Sequence, residues 1–311
     1  MQNFHKILFV SHGAGDESDG LMQAVSTARN SGAELQVQIA CPPLPDEFEG
    51  YREAYVDGLR GHVEATLTIV RDNLRLAQDE LPVAMAVDCG KNPAERITRR
   101  VLDEDFDLVI KNVEGADQGR GFRALDMELL RKCPCPVWLC RPIRHSRPDI
   151  NVVVAVDPEC EGGAAYDLAI RLLRLSRALA DTCSGTLHVV SCWEYDVDSY
   201  LRQHVSIEAS DEEIDRIIER AGSRHRGQLD ALIHAAGIGG PVEIHHAVAR
   251  AERFIPLLIE ERGFDILVMG TVARSGIPGF IMGNTAENIL RKVSCSLLAL
   301  KPSDFVSPVK P

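Results

Sequence analysis

Arg131-Lys132-Cys133-Pro134-Cys135-Pro136-Val137-Trp138-Leu139-Cys140-Arg141-Pro142 and Arg291-Lys292-Val293-Ser294-Cys295-Ser296-Leu297-Leu298-Ala299-Leu300-Lys301-Pro302 run in register. Arg, Lys, Cys and Pro coincide. Upstream, Phe106-Asp107-Leu108-Val109-Ile110 answers Phe264-Asp265-Ile266-Leu267-Val268, and Ala94-Glu95-Arg96 answers Ala251-Glu252-Arg253. Each half opens on an aliphatic run, Ile7–Val10 and Val152–Val156. Self-similarity of this kind marks a repeated structural unit. The spacing therefore predicts two copies of one domain, residues 1–147 and 148–311, joined through Pro142-Ile143-Arg144-His145-Ser146-Arg147-Pro148, where a proline stands at each end of a basic, polar run.

Within the second copy strand and helix patterns alternate. Val152–Val156 precedes Ala164, Leu168, Leu172, Leu175 and Leu179 at helical spacing, and Thr186–Val190 follows as a strand. A polar helix over Asp211–Ala236 leads to Val242–Val248. Ala251–Glu261 reads as a helix, with Pro256 tolerable only near a first turn, followed by the strand Asp265–Met269. Thr285–Val293 carries Ala286, Ile289, Leu290 and Val293 on one face, and Leu297–Leu300 is the last strand. The first copy repeats the order with Gln36–Ala40, a helix near Tyr51–Gln78, Val83–Val87, a helix capped by Asn92 with Pro93 at its first position, and Leu108–Lys111. Apolar strands separated by helices make a parallel sheet covered on both faces.

Composition fits this. The 311 residues are 45% hydrophobic and 26% charged, within the ordinary range for packed domains. Aromatic residues are only 5%, which suits helices on aliphatic strands better than a β-sandwich. The net charge of −12 argues against nucleic acid or an anionic membrane as partner. No apolar run approaches the ~18–20 residues of a spanning helix, and Met1–Lys6 has no signal-peptide layout, so a cytoplasmic protein is expected. Nine scattered cysteines read as reduced thiols, with Cys133, Cys135 and Cys140 in buried structural roles. His245 and His246 are neighbours on a strand and face opposite ways, so they do not share one ion; His188 reads as a core histidine, and no metal site is expected.

In an open α/β sheet, ligands bind beyond the carboxyl ends of the strands. There the second copy has Gly270-Thr271-Val272-Ala273-Arg274-Ser275-Gly276-Ile277-Pro278-Gly279-Phe280-Ile281-Met282-Gly283-Asn284-Thr285-Ala286-Glu287. A glycine-rich loop entering a helix offers N–H groups and a positive dipole end to a phosphate. With the repeat, this segment resembles the universal stress protein family in its tandem, E-type form. The resemblance implies an α/β fold of two tandem domains, each a parallel five-stranded sheet flanked by helices. The family's nucleotide signature is Gly, two residues, Gly, nine residues, Gly and then Ser or Thr. Here Gly270 and Gly283 fit, whereas Ala273 and Asn284 depart. Arg274, Ser275 and Thr285 also resemble the family. Asp157 corresponds to the acid beside the ribose, and Val189 to the backbone position that meets adenine.

A glycine in a tight loop is free to take positive φ, where a Cβ costs ~1–2 kcal/mol or forces another path. Asn284 suits a helix cap, with Glu287 three residues on, more than a phosphate contact. Asp157 reads equally as a turn residue, and Arg274 as a solvated charge. In the first copy the segment Lys111–Leu125 has lost the signature; Glu114 and Asp117 face a phosphate with like charge, which Lys111, Arg120 and Arg123 are placed to offset, and no nucleotide is expected there. No Gly-x-Ser-x-Gly elbow, complete phosphate-binding Gly-Lys-Ser/Thr loop or zinc-protease helix occurs. The expectation is a non-catalytic stress-response protein, a paired-domain platform for protein partners or ligand without a certain cofactor. The alternative is ATP in the second domain. Val137–Cys140 and Leu297–Leu300 are the edges through which the copies are expected to pair.

Overall fold

The computed structural model describes residues 4–114, 120–143, 145–160, 163–194, 211–271 and 282–310. The first copy runs β1 (Lys6–Ser11), α1 (Ser18–Ser31), β2 (Glu34–Cys41), α2 (Arg52–Leu74), β3 (Val83–Cys89), α3 (Pro93–Asp103), β4 (Leu108–Asn112), α4 (Ala124–Lys132) and β5 (Val137–Cys140). The second runs β6 (Asn151–Ala155), α5 (Gly163–Cys183), β7 (Thr186–Trp193), α6 (Asp211–Ala236), β8 (Val242–Val248), α7 (Ala251–Arg262), β9 (Ile266–Gly270), α8 (Asn284–Leu290) and β10 (Ser296–Leu300).

The strands make one ten-stranded sheet, ordered β3-β2-β1-β4-β5-β10-β9-β6-β7-β8. Each copy's five strands are parallel to one another, and the join is antiparallel, with Leu297 opposite Leu139 and Leu298 opposite Trp138. Read from either end the order of elements is the same, so the copies are related by a pseudo-twofold axis through the β5–β10 seam. Alternation along each strand feeds two cores: Ile7 and Phe9 face one way, Leu8 and Val10 the other. Helices α1, α2, α5 and α6 cover the first face, and α3, α4, α7 and α8 the second, and both cores run unbroken across the seam. Each buried Leu, Ile or Val there contributes ~1.5–3 kcal/mol. Pairing β5 with β10 also removes two fully buried apolar strands from exposure as open edges.

Polar contacts fix the seam's geometry. Ser296 Oγ accepts the Arg141 N–H at 3.0 Å, Gly121 N–H donates to Val293 O at 2.9 Å, and Arg131 meets Glu287 at 3.0 Å. Gly121 has φ +83°, and a Cβ on it would lie 2.7 Å from Arg291 O, so this position needs glycine on two counts.

Three expectations are corrected. Cys41 and Cys89 are not thiols but a disulfide: they are register partners at the ends of β2 and β3, which brings their Cα atoms to 4.4 Å. Pro256 sits in the middle of α7 rather than in its first turn. Its missing N–H leaves Glu252 O without a helical donor, and Lys292 Nζ supplies one at 3.0 Å. Asn92 does precede α3 and Pro93, but it takes a left-handed conformation, φ 53°, and its side chain caps nothing. Among the described residues no helix is long and apolar enough to cross a membrane.

Candidate functional site

Parallel strands of the second copy deliver their carboxyl ends to one lip. Val154 stands opposite Val268, so Asp157 and Thr271, each three residues further on, leave neighbouring strands at the same height. Asp157 Oδ1 accepts the Glu159 N–H at 2.9 Å, an Asx-turn contact. Gly270 closes β9 against α5; a Cβ there would reach Leu168 Cδ2 at 3.0 Å. Thr271 N–H donates to Leu300 O at 3.2 Å, and Thr271 O accepts the Gly283 N–H at 3.1 Å. That last bond brings the two ends of the glycine-rich loop together, so Gly270 and Gly283 share one neighbourhood. Ala273, Arg274 and Ser275 lie outside the described residues.

Gly283, not Asn284, occupies the cap position of α8, and no side chain caps this terminus. Asn284 is the first helical residue, and it and Thr285 are exposed. Glu287 does not reach back either; its carboxylate is held below the usual range by Arg291 at 2.8 Å and Arg131 across the seam. Val189 is fully buried in mid-strand, in register with Val154 on one side and Ile244 on the other.

The equivalent lip of the first copy is filled by its own charges. Lys111 Nζ lies 2.9 Å from Asp126 Oδ1 and 3.4 Å from Glu114 Oε1, and donates to Asn112 O at 2.9 Å. His12 Nε2 is 3.2 Å from Glu114, whose pKa is lowered to about 2 by that contact and by the Lys111 charge, against the opposing effect of burial. Asp126 is in the first turn of α4, so a carboxylate already occupies the positive end of the helix that a phosphate would use. Ser11 and the His12 N–H hold Glu17 alongside. Counting from the aligned Phe106/Phe264 and Arg131/Arg291, Lys111 corresponds to Met269 and Asp126 to Ala286. Both residues of the second copy are buried and apolar.

A second cluster lies at the opposite, amino-terminal ends of the strands. His188 on β7 and Glu243 on β8 are register partners, and His245 follows on the same face of β8. His188 Nδ1 is 3.1 Å from His245 Nε2 and 3.5 Å from Glu243 Oε2. On the other face His246 Nε2 meets His225 Nδ1 of α6 at 2.8 Å, beside Trp193. Burial lowers the pKa of all four histidines. Opposite facing of His245 and His246 follows from strand alternation; the partner of each is set by the β7–β8 register and by α6, which a linear reading of the chain does not supply.

The universal stress protein family pattern matches residues 3–141 and again 151–301. The chain belongs to the universal stress protein family. This universal stress protein is 25% identical to Universal stress protein E of Photorhabdus laumondii over 100% of its own length and 99% of that protein's. It is 29% identical to Universal stress protein E of Escherichia coli K12, covering 74% of this chain and 72% of the other. Among solved structures it resembles a protein of unknown function from Pseudomonas aeruginosa PAO1, with TM-score 0.70, 22% identity and coverage of 97% and 94%. It also resembles a universal stress protein from Archaeoglobus fulgidus, with TM-score 0.59, 15% identity and coverage of 96% and 97%. These two likenesses are of fold.

Proposed function

We propose that this universal stress protein acts in the stress response without catalysis, as a paired-domain platform for protein partners or a ligand, and that only its second copy has a lip able to take a ligand. One observation carries the asymmetry. Lys111, Asp126 and Glu114 satisfy one another where the second copy has Met269 and Ala286, so the buried cation of the first lip is already neutralised and the first turn of its helix already holds a carboxylate. The non-catalytic reading is supported by Asp157 and the Thr271 backbone, which are engaged in turn and backbone bonds, and by the absence of a base within hydrogen-bond reach of the buried Thr271 hydroxyl among the described residues.

A second reading, ATP in the second copy, draws on the kept spacing of Gly270 and Gly283 and on an α8 terminus without a side-chain cap. Native mass spectrometry of protein purified without added nucleotide separates the two. The platform reading expects the mass of the bare chain; a retained mass near that of ATP favours the second.

A further inference from the structure

We propose that His188, His245 and Glu243 form a binding site for a single zinc-like transition-metal ion, at the end of the sheet opposite the glycine-rich loop and independent of any nucleotide. The cluster is built by backbone register rather than by loop chance. His188 and Glu243 are paired residues of adjacent parallel strands, and His245, two positions beyond Glu243, points to the same face. Phe264 packs on both rings, with centroids 4.7 Å from His188 and 6.0 Å from His245. Both imidazoles are held at about nine-tenths burial, with side-chain exposures of 7% and 10%, while Glu243 is 47% exposed and opens the site to solvent.

Distances suit an ion. The two facing ring nitrogens are 3.1 Å apart, and the carboxylate oxygens lie 3.5 Å from His188 Nδ1 and 3.7 Å from His245 Nε2. Zinc with bonds of ~2.0–2.1 Å in a tetrahedron separates its ligand atoms by about 3.3 Å, so an ion fits between these three with small side-chain movements. The tautomer is also set for binding. Asn151 Oδ1 lies 3.4 Å from His188 Nε2; an amide oxygen only accepts, so Nε2 carries the proton and Nδ1 presents its lone pair toward His245 and Glu243. Without metal, His245 Nε2–H donates to that lone pair. Metal binding moves the His245 proton to Nδ1, which leaves both rings neutral, and the Glu243 carboxylate offsets one of the ion's two charges. Two imidazoles and one carboxylate favour zinc over calcium or magnesium, which prefer oxygen shells. Three protein ligands leave a fourth position for water or an exogenous group. Arg262, whose side chain is exposed, lies 3.7 Å from Glu243 Oε1.

The test uses the full chain stripped with a chelator, titrated with Zn2+ against a chromophoric competitor and with Co2+ for its visible d–d bands. One equivalent is expected, with tetrahedral cobalt absorption. His188→Ala and His245→Ala each weaken binding by about 100-fold, Glu243→Gln and Asn151→Ala by about tenfold, and His225→Ala and His246→Ala leave it unchanged. If His188→Ala loses its circular-dichroism signature, His245→Gln and Glu243→Gln decide. Absence of a stoichiometric site, or undiminished affinity in the His245 and Glu243 variants, or loss in His246→Ala, overturns the proposal.

Discussion

Lys111 and Asp126 meet at 2.9 Å with neither side chain exposed, and in the second copy Met269 and Ala286 stand at the corresponding positions. One duplicated frame thus carries two different lips. A buried ion pair repays its desolvation only when its remaining hydrogen bonds are satisfied, and here Asn112 O, Glu114 and the Arg123 N–H complete the set.

Breaking that pair on one side leaves a buried charge. Lys111→Met alone is expected to lower unfolding stability by about 3–5 kcal/mol, whereas Lys111→Met with Asp126→Ala, which copies the second domain, costs no more than about 1–2 kcal/mol. Urea unfolding of the three variants measures this. A double variant as weak as the single one contradicts the ion-pair account.

Glu114 supplies a pH dependence. Its folded pKa, about 2, lies below the ordinary 4.5, so its contribution is fully present above about pH 4.5 and disappears as pH falls through about 2. The stability difference between the parent and Glu114→Gln should therefore shrink steadily over that window and vanish at its acid end. Unfolding midpoints at several pH values follow it; a constant difference tells against the network.

The Cys41–Cys89 bridge predicts seven titratable thiols in the denatured, unreduced protein and nine after reduction. Because the bridge spans a sequence separation of 48, Cys41→Ser with Cys89→Ser should cost about 2–4 kcal/mol. Thiol counting and denaturant unfolding check both parts.

Much of the architecture was legible because the same pattern is written twice: Phe106/Phe264 and Arg131/Arg291 fix the alignment, and apolar alternation supplies the strands. What escaped depended on partners distant in sequence. Cys41 finds Cys89 only through the β2–β3 register. Pro256 is accommodated in mid-helix because Lys292 reaches Glu252 O. His188 meets His245 across 57 positions. At the lip, the spacing located Gly270, Gly283 and Asp157, but the cap falls on Gly283 rather than Asn284 because α8 begins one residue earlier than the apolar face alone indicates.

The two copies are expected to differ in ligand competence, and the departures at Ala273 and Asn284 to keep nucleotide weak in the second. Isothermal titration with ATP and magnesium tests it most directly, on the parent, on Lys111→Met with Asp126→Ala, and on Ala273→Gly with Asn284→Ser. Weak binding by the parent is expected, no gain from changing the first lip, which still holds Glu114 and lacks the glycine signature, and about a tenfold gain, on the order of 1.4 kcal/mol, from the second-domain pair of changes. Their stability should stay close to the parent's, since serine suits the start of a helix as well as asparagine does. Tight binding by the parent, or a gain that comes from the first lip instead, contradicts it.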